Sequence, residues 1–208
     1  ALTSAGGAVL VVRDGLPVRN VDELIQLARS QAPQSLTFGH FGPGSFFHLM
    51  WEELATRASI TALQVPYKGA PDILRDLGAG ELDMAILPLN AAVMNFPRVR
   101  GIATTGATRS LYFPDLPAAA ESSKLLGYAA WGWFALAAMQ DTPSSELDRM
   151  ERWSRLALAN EAIAVAYKAQ NVVVPPAQSR NELNQFYNAE INRYRTQLKR
   201  LGLLPLST

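Results

Sequence analysis

The sequence has 208 residues, of which 49% are hydrophobic and 18% are charged, so the chain can bury a core and wholesale disorder is not expected. It contains no cysteine and only two histidines, which excludes disulfides, thiolate catalysis, cysteine-ligated zinc and a multi-histidine metal site on one chain. Nineteen Lys and Arg residues nearly balance 18 Asp and Glu residues, and the net charge of +1 provides no whole-chain basic surface for nucleic acid or an anionic membrane.

Neither a membrane span nor a leader sequence is visible. No segment reaches the roughly 18–20 uninterrupted apolar residues of a membrane-spanning helix. The longest candidate, residues 128–139, is too short and contains glycine. The sequence opens at Ala1 without a methionine or a basic leader segment, so we expect an excised or processed product that carries no visible export signal. The lack of cysteine is compatible with the periplasm but supports it only weakly.

Strands and helices alternate through the first hundred residues. Residues 8–12 form a continuous Val-rich apolar run, which is typical of a buried strand. Asn20 is a good helix N-cap and Glu23 completes a capping box, so a helix follows and ends before Pro33. Later patterns predict strands at 35–38, 61–65 and 82–87, helices at about 46–58 and 71–77, and a short helix opened by Pro88. This alternation favours an α/β fold with a mostly parallel sheet.

The second half of the chain has a different pattern. Its composition shifts at 111–127, which marks an expected crossover between two lobes. Hydrophobic periodicity predicts two strands, at 101–105 and 130–139, and two long closing helices, near 145–170 and 180–201, the first with a break near Asn160.

The most informative local feature is the predicted strand, loop and helix at 37–54. We call residues 39–45 the glycine loop, since its three glycines permit a tight turn and a close approach to a ligand. The helix that follows presents unpaired amides and the positive end of its dipole, and the Ser45 hydroxyl lies at its cap. We therefore expect amides beside Gly44 and Ser45 to hold a carboxylate without a lysine or arginine. The alternative is an ordinary β–α turn that needs glycine only for its geometry.

Two enzyme motifs are missing from this loop. The glycines of this loop are not followed by the Gly-Lys-Ser/Thr of a P-loop. Ser45 also lacks the Gly-x-Ser-x-Gly spacing of a hydrolase nucleophile elbow. His48 lies three residues after Ser45 on the same side of the predicted helix, so a hydrolase built on this pair is an alternative. The sequence places no obvious acid to orient the imidazole, and a packing role for His48 is favoured. His40 lies in the loop and is the better candidate for a ligand contact.

Further candidate residues follow other strands at the same predicted edge of the sheet. Tyr67 either lines the pocket or packs its ring beside a solvated Lys68. Asn90 either hydrogen bonds with a ligand or serves as a first-turn helix residue. The aromatic residues at 131–134 either cover a small ligand at a lobe interface or pack in the core, and we expect core packing for at least two of the rings.

Several motifs occur in the order found in one receptor family. They are Phe38-Gly39-His40-Phe41-Gly42-Pro43-Gly44-Ser45-Phe46-Phe47-His48-Leu49, Val65-Pro66-Tyr67-Lys68-Gly69-Ala70-Pro71, Leu77-Gly78-Ala79-Gly80-Glu81-Leu82-Asp83, Arg109-Ser110, Pro114-Asp115-Leu116-Pro117, Trp133-Phe134 and Thr142-Pro143. From about Leu10 to the C-terminus, the sequence resembles the extracytoplasmic solute receptors of tripartite tricarboxylate transporters, the Bug or TctC-like proteins.

The resemblance implies an α/β fold of the type II periplasmic-binding-protein kind, with two lobes of mostly parallel sheet, flanking helices and a ligand-binding cleft. It implies a periplasmic receptor, not an enzyme, with no cofactor or metal, that captures a small carboxylate (a dicarboxylate, an amino acid or an aromatic acid). The receptor would close around the ligand and deliver it to the membrane permease subunits of the transporter, without being embedded in the membrane itself. The alternative is a ligand-sensing regulatory module of the same fold that signals to a partner protein.

The resemblance also suggests which residues bind the ligand. Gly44 and Ser45 match positions at which the family holds the carboxylate. The full set of expected ligand-binding residues is His40, Phe41, Gly42, Gly44, Ser45, Phe46, Tyr67, Leu87 and Asn90. The family usually has small residues where His40 and Phe46 stand, so we expect a narrowed pocket or an unusual ligand, and the aspartate frequent at Leu87 is absent.

A larger departure from the family concerns the first lobe. The leading segment of the family, which builds much of that lobe, is missing from this sequence. We therefore expect a complete ligand-binding second lobe at 13–105. Residues 1–12 and 106–208 would supply the crossover segments and an incomplete first lobe.

Overall fold

The computed structural model describes residues 1–170 and 172–204. Asn171 and residues 205–208 lie outside the described residues. They belong to the segment 106–208 that is predicted to supply a crossover and part of the first lobe. The strands are β1 Leu2–Arg13, β2 Thr37–His40, β3 Leu63–Pro66, β4 Met84–Pro88, β5 Val99–Thr104 and β6 Trp131–Ala135. The α-helices are α1 Val21–Ser30, α2 Phe46–Ala58, α3 Ala70–Ala79, α4 Ala91–Met94, α5 Ser144–Leu158, α6 Glu161–Ala169 and α7 Arg180–Arg200. Two short 3₁₀ helices lie at Ala119–Glu121 and Ser123–Leu125.

Polar side chains set several helix boundaries, as the sequence predicts. Asn20 Oδ1 accepts the Glu23 amide at 2.9 Å, and the Glu23 carboxylate accepts the Arg19 amide at 2.7 Å, so a capping arrangement opens α1. The break between α5 and α6 is confirmed, because Asn160 caps α6 by accepting the Ala162 amide at 2.9 Å. Helix α2 has the predicted bounds.

Five strands form the main sheet in the order β3-β2-β4-β1-β5, and β6 pairs with β1 outside this path. Strand β2 is parallel to β3 and β4, whereas β1 is antiparallel to both of its neighbours in this order. Four of the five strands therefore point the same way, which confirms the mostly parallel α/β sheet. The reversed strand β1 is longer than the predicted run at 8–12.

Both faces of the sheet are covered by apolar side chains. Alternate residues of a strand point to opposite faces, so β1 contributes to both layers. One cluster contains Ala8, Leu10 and Val12 with Trp51 and Leu54 of α2 and Leu24 and Ile25 of α1. The opposite cluster contains Val9, Val11 and Leu87 with Ile73, Leu74 and Leu77 of α3. Both faces of the sheet are therefore buried, and this packing holds in place the strand ends that carry the loops.

The described chain divides into two compact units. The helical unit comprises Ala1–Gly6 and Gly132–Thr196, and the sheet unit comprises Gly7–Trp131 and the residues from Gln197 onward. The sheet unit extends beyond the predicted lobe at 13–105, because it includes residues 7–12 of β1 and because Tyr128 donates a buried hydrogen bond to the Met50 carbonyl at 3.1 Å. How these units correspond to the lobes of a complete receptor stays a prediction.

Candidate ligand-binding site

The carboxyl ends of the parallel strands meet at one edge of the sheet unit. His40 at the end of β2 pairs with Pro66 at the end of β3, and β4 ends at Pro88 beside Ala8 of β1. The glycine loop follows β2, Tyr67 follows β3, and Asn90 lies two residues after β4. Open α/β sheets commonly bind ligands at such an edge.

The glycine loop uses two residues in the left-handed region of backbone space. Gly42 has a φ of +100° and Gly44 a φ of +77°, conformations that favour glycine. A Cβ atom on Gly44 would lie 3.3 Å from Leu198 Cδ2 and 3.6 Å from Leu203 Cδ1, whereas one on Gly42 would meet nothing within 4 Å. Conformation therefore favours glycine at both positions, and at Gly44 a Cβ would also make a tight contact with movable side-chain tips.

The loop amides expected to bind the ligand are already engaged by the protein. The Gly44 N–H donates to Nδ1 of His48 at 2.9 Å, and the Ser45 N–H donates to the Gly42 carbonyl at 3.1 Å. The Gly42 N–H donates to Nδ1 of His40 at 3.1 Å. The expectation that the Gly44 and Ser45 amides hold a carboxylate is wrong, because these donors stabilise the turn of the loop itself.

Other donors remain at the start of α2. Ser45 is the N-cap residue but makes no side-chain capping bond, and its buried Oγ has no hydrogen-bond partner within residues 1–170 and 172–204. The Phe47 and His48 amides lie in the first helical turn, where an α-helix supplies no acceptor, and neither donates to a described atom outside the helix. A bound acceptor at this helix end would satisfy a hydroxyl that is costly to leave unpaired.

The two histidine rings lie side by side, with centroids 4.8 Å apart. Burial lowers the pKa of both His40 and His48. His48 Nε2 lies 3.6 Å from a Glu52 carboxylate oxygen, so an acid does lie near this imidazole, contrary to expectation. The serine hydroxyl makes no hydrogen bond to the ring, however, and His48 Nδ1 accepts the Gly44 amide. This geometry does not activate Ser45 as a nucleophile.

Tyr67 directs its hydroxyl to Asp76 of α3. The hydroxyl donates to Asp76 Oδ2 at 2.9 Å, while the Tyr67 amide donates to the His40 carbonyl at 2.8 Å. Burial, reinforced by the Asp76 carboxylate, raises the pKa of Tyr67 to about 12. The Tyr67 ring is therefore a packing residue, as one of its two expected roles predicted. The Tyr67 backbone helps to position the loop through its hydrogen bond to His40.

The other expected residues divide into a loop cluster and structural positions. Phe41 and Phe46 are half-buried beside Phe47, with ring centroids 5.0 and 5.3 Å from that ring. Leu87 is fully buried in the core. Asn90 caps α4 by accepting the Val93 amide at 3.0 Å, which matches its structural alternative. The expected residues from 40 to 46 therefore lie together, and Leu87 packs in the core.

Local sequence patterns missed a second contributor to this site. Leu198 and Leu203 lie against Gly44, and Gln197 donates to a Glu53 carboxylate oxygen at 3.1 Å. No local motif predicts these contacts, because they join residues about 150 positions apart in the sequence. The end of α7 and the turn after it therefore cover one side of the glycine loop.

The aromatic residues at 131–134 have separate environments. Within the helical unit, Trp133 packs edge-on against Phe186 with centroids 5.3 Å apart and donates its indole N–H to Glu190 at 2.9 Å. Phe134 is 72% exposed. Core-like packing therefore applies to Trp133 but not to Phe134.

The mixed α/β sheet, with most of its strands parallel, has the architecture of the periplasmic-binding-protein kind. The sequence profile of the tripartite tricarboxylate transporter family receptor (TctC) matches residues 2–203, and the chain belongs to this family. Its members are solute-binding receptors rather than enzymes. Within the described part of the chain, no helix has the length and apolar character needed to cross a membrane.

Two curated relatives match over most of this chain. The UPF0065 protein in the tcbD-tcbE intergenic region of Pseudomonas sp. strain P51 is 32% identical over 163 residues, which cover 77% of this chain and 48% of the relative. A UPF0065 protein of Bordetella pertussis strain Tohama I is 29% identical over 200 residues, which cover 95% of this chain and 61% of the relative. The chain thus spans about half to three fifths of the length of these relatives.

Solved structures confirm the fold. Rpa4515 of R. palustris with adipate superposes with a TM-score of 0.82 at 28% identity, over 97% of this chain and 67% of that chain. MatC (Rpa3494) from Rhodopseudomonas palustris with bound malate gives a TM-score of 0.80 at 21% identity, over 95% of this chain and 68% of that chain. Both likenesses extend over nearly the whole chain, so they support the α/β receptor fold for both compact units.

Proposed function

We propose that this protein is a periplasmic receptor that captures a small carboxylate, such as a dicarboxylate, for a tripartite tricarboxylate-type transporter. Family membership supports the receptor role, and the relative Rpa4515, 28% identical, is described with adipate. The permease subunits of the transporter are the proposed partner. Small carboxylates are the proposed ligand class because the donors at the sheet edge suit an anionic oxygen pair.

The observation that carries this proposal is the unpartnered, buried hydroxyl of Ser45 at the N-terminus of α2. In the proposed complex, the hydroxyl donates to one carboxylate oxygen. The first-turn amides of Phe47 and His48 donate to the other, with the positive end of the helix dipole behind them. Residues 41–46 form the rest of the proposed site, with the phenyl rings of Phe41 and Phe46 beside the carbon chain, and His40 supports the loop through the Gly42 amide.

Calorimetric titration of the 208-residue chain with adipate, then with a panel of dicarboxylates, amino acids and aromatic acids, tests the proposal. Wild-type protein is expected to bind at least one of these anions with a single site. If none of these anions gives a heat of binding, the carboxylate-receptor proposal for this chain is refuted.

The Ser45→Ala variant sharpens the test. Because Ser45 makes no capping bond, its removal is expected to leave the free energy of unfolding nearly unchanged. Loss of one hydrogen bond to a charged group is expected to weaken carboxylate binding by roughly 10- to 100-fold. Ser30→Ala, at an exposed position near the end of α1, is the matched control and should leave affinity unchanged. Equal affinity of Ser45→Ala and wild type would remove Ser45 from the site.

A further inference from the structure

Two buried imidazoles hold the glycine loop by its backbone. His40, at the end of β2, is 2% exposed, and His48, in the first turn of α2, is 7% exposed. Nδ1 of His40 accepts the Gly42 amide at 3.1 Å, and Nδ1 of His48 accepts the Gly44 amide at 2.9 Å. Each left-handed glycine of the loop is thus tied to one histidine.

These contacts require neutral rings. A histidine nitrogen can accept an N–H only while it carries no proton, so both rings must keep Nδ1 free and carry their proton on Nε2. Burial favours the neutral form of both rings, and the proximity of His40 further disfavours charge on His48. The ionisable group of α2 that faces the pair is Glu52, whose carboxylate accepts a hydrogen bond from the side-chain amide of Gln64 in β3.

We propose that His40 and His48 are positioning residues that form a pH-sensitive clamp on the glycine loop, so that protonation of either ring releases a loop amide and weakens carboxylate binding. The effect on affinity rests on the proposed function. Once Nδ1 carries a proton, it opposes the glycine N–H donor against donor, and the loop must move to separate them. Ser45 directly follows the clamped Gly44, so this movement displaces the hydroxyl that the ligand needs.

The sign of the pH dependence separates this clamp from a direct contact. If a histidine contacted the carboxylate, its protonation would add a cation next to an anion and would strengthen binding at low pH. Under the clamp, protonation removes an acceptor from the loop and weakens binding. Carboxylate affinity should therefore fall, beyond the ligand's own protonation, as the pH drops below the ordinary histidine value of about 6.5.

Nuclear magnetic resonance of the ligand-free 208-residue chain tests the clamp without any carboxylate. At neutral pH, the ¹⁵N shifts of both histidines should show an unprotonated Nδ1 and a protonated Nε2. As the pH is lowered, the Gly42 amide resonance should shift with the titration of His40, and the Gly44 resonance with that of His48. The clamp would be overturned if Nδ1 of either ring were protonated at neutral pH. It would also be overturned if the Gly42 and Gly44 amide resonances did not shift as the histidines titrate.

Two substitutions at His48 test the link to binding. In His48→Asn, the side-chain oxygen can stand near the former Nδ1 and accept the Gly44 amide without titrating, whereas His48→Leu removes the acceptor but keeps an apolar side chain. Circular dichroism establishes that each variant is folded. At neutral pH, we expect His48→Leu to bind adipate about tenfold more weakly than wild type, and His48→Asn to recover most of this loss.

The same variants isolate the pH effect. From about pH 7.5 to about pH 5, wild-type affinity should fall more steeply than that of His48→Asn, because protonation of adipate is common to both proteins. Wild-type affinity that rises relative to His48→Asn on acidification would overturn the proposal in favour of direct contact. If neither protein binds any carboxylate at any pH, the proposed function fails, and the glycine resonances still decide whether the clamp exists.

Discussion

Replacement of Gly44 by alanine tests the glycine loop at its most constrained position. The residue has a φ of +77°, and an L-residue in this left-handed region costs about 1–2 kcal/mol. The new Cβ would lie 3.3 Å from Leu198 Cδ2 and 3.6 Å from Leu203 Cδ1, which are side-chain tips that can move by a few tenths of an ångström. Backbone strain therefore dominates, and we expect the free energy of unfolding to fall by about 1–2 kcal/mol.

Carboxylate binding should suffer more than stability in this variant. The strained backbone angles also orient the Gly44 amide towards His48 and place Ser45 at the cap of α2. We expect adipate affinity to fall by at least about tenfold, the loss expected for one misdirected hydrogen bond. Urea unfolding and calorimetric titration measure the two effects on the same protein preparation.

Gly80→Ala is the matched control. Gly80 ends α3 with a φ of +86°, and a Cβ there would meet nothing within 4 Å, so it carries similar backbone strain without a contact near the loop. Both variants should lose similar stability, but only Gly44→Ala should lose affinity. If the two variants bind adipate equally well, the reasoning that links loop geometry to binding is refuted.

Three further predictions concern the frame of the site. Gly39→Ala should destabilise the protein by about 1–3 kcal/mol in urea unfolding, since its Cβ would lie 2.6 Å from Leu82 Cδ2 in the core; an unchanged midpoint would contradict this packing. In an alkaline absorbance titration, Tyr67 should ionise with a pKa of about 12. This raised pKa makes its stabilising effect complete below about pH 10 and lost between about pH 10 and pH 12, a loss that Tyr67→Phe should abolish. Asn20→Ala should lower the free energy of unfolding by about 1 kcal/mol through loss of the α1 cap, and wild-type stability would show that this cap contributes nothing.

Local signals in the sequence predicted most elements because those elements are locally determined. The Asn20 cap opens α1, and the strand, glycines and serine at 37–45 precede the start of α2. Such local signals could not predict the direction of β1 in the sheet. A Val-rich run at 8–12 indicates only that a strand is buried on both faces. Its antiparallel pairing depends on partners near residues 88 and 104, whose positions no local pattern reports.

The sequence also predicted the loop of the proposed site, but it did not predict the partners of the loop amides. The glycines and Ser45 do lie at a helix N-terminus, yet the Gly44 and Ser45 amides bind inside the protein. A signal for this existed. His48 is the third residue of α2 and reaches back to the amide before the N-cap, much as the glutamate of a capping box reaches back to the N-cap amide. The two roles expected for His48, packing and partnering the Ser45 hydroxyl, do not include this one.

The division of labour among the loop donors would let the proposed site select among ligands without a formal cation. The Gly42, Gly44 and Ser45 amides donate to acceptors within the protein. They therefore fix the geometry of the turn and do not donate to a ligand. The Ser45 hydroxyl and the first-turn amides of α2 are neutral donors whose directions that turn dictates. Their attraction for an anion is short-ranged and directional, unlike that of a lysine or arginine. Discrimination among carboxylates in the proposed receptor would therefore depend on how rigidly the two histidines hold the loop.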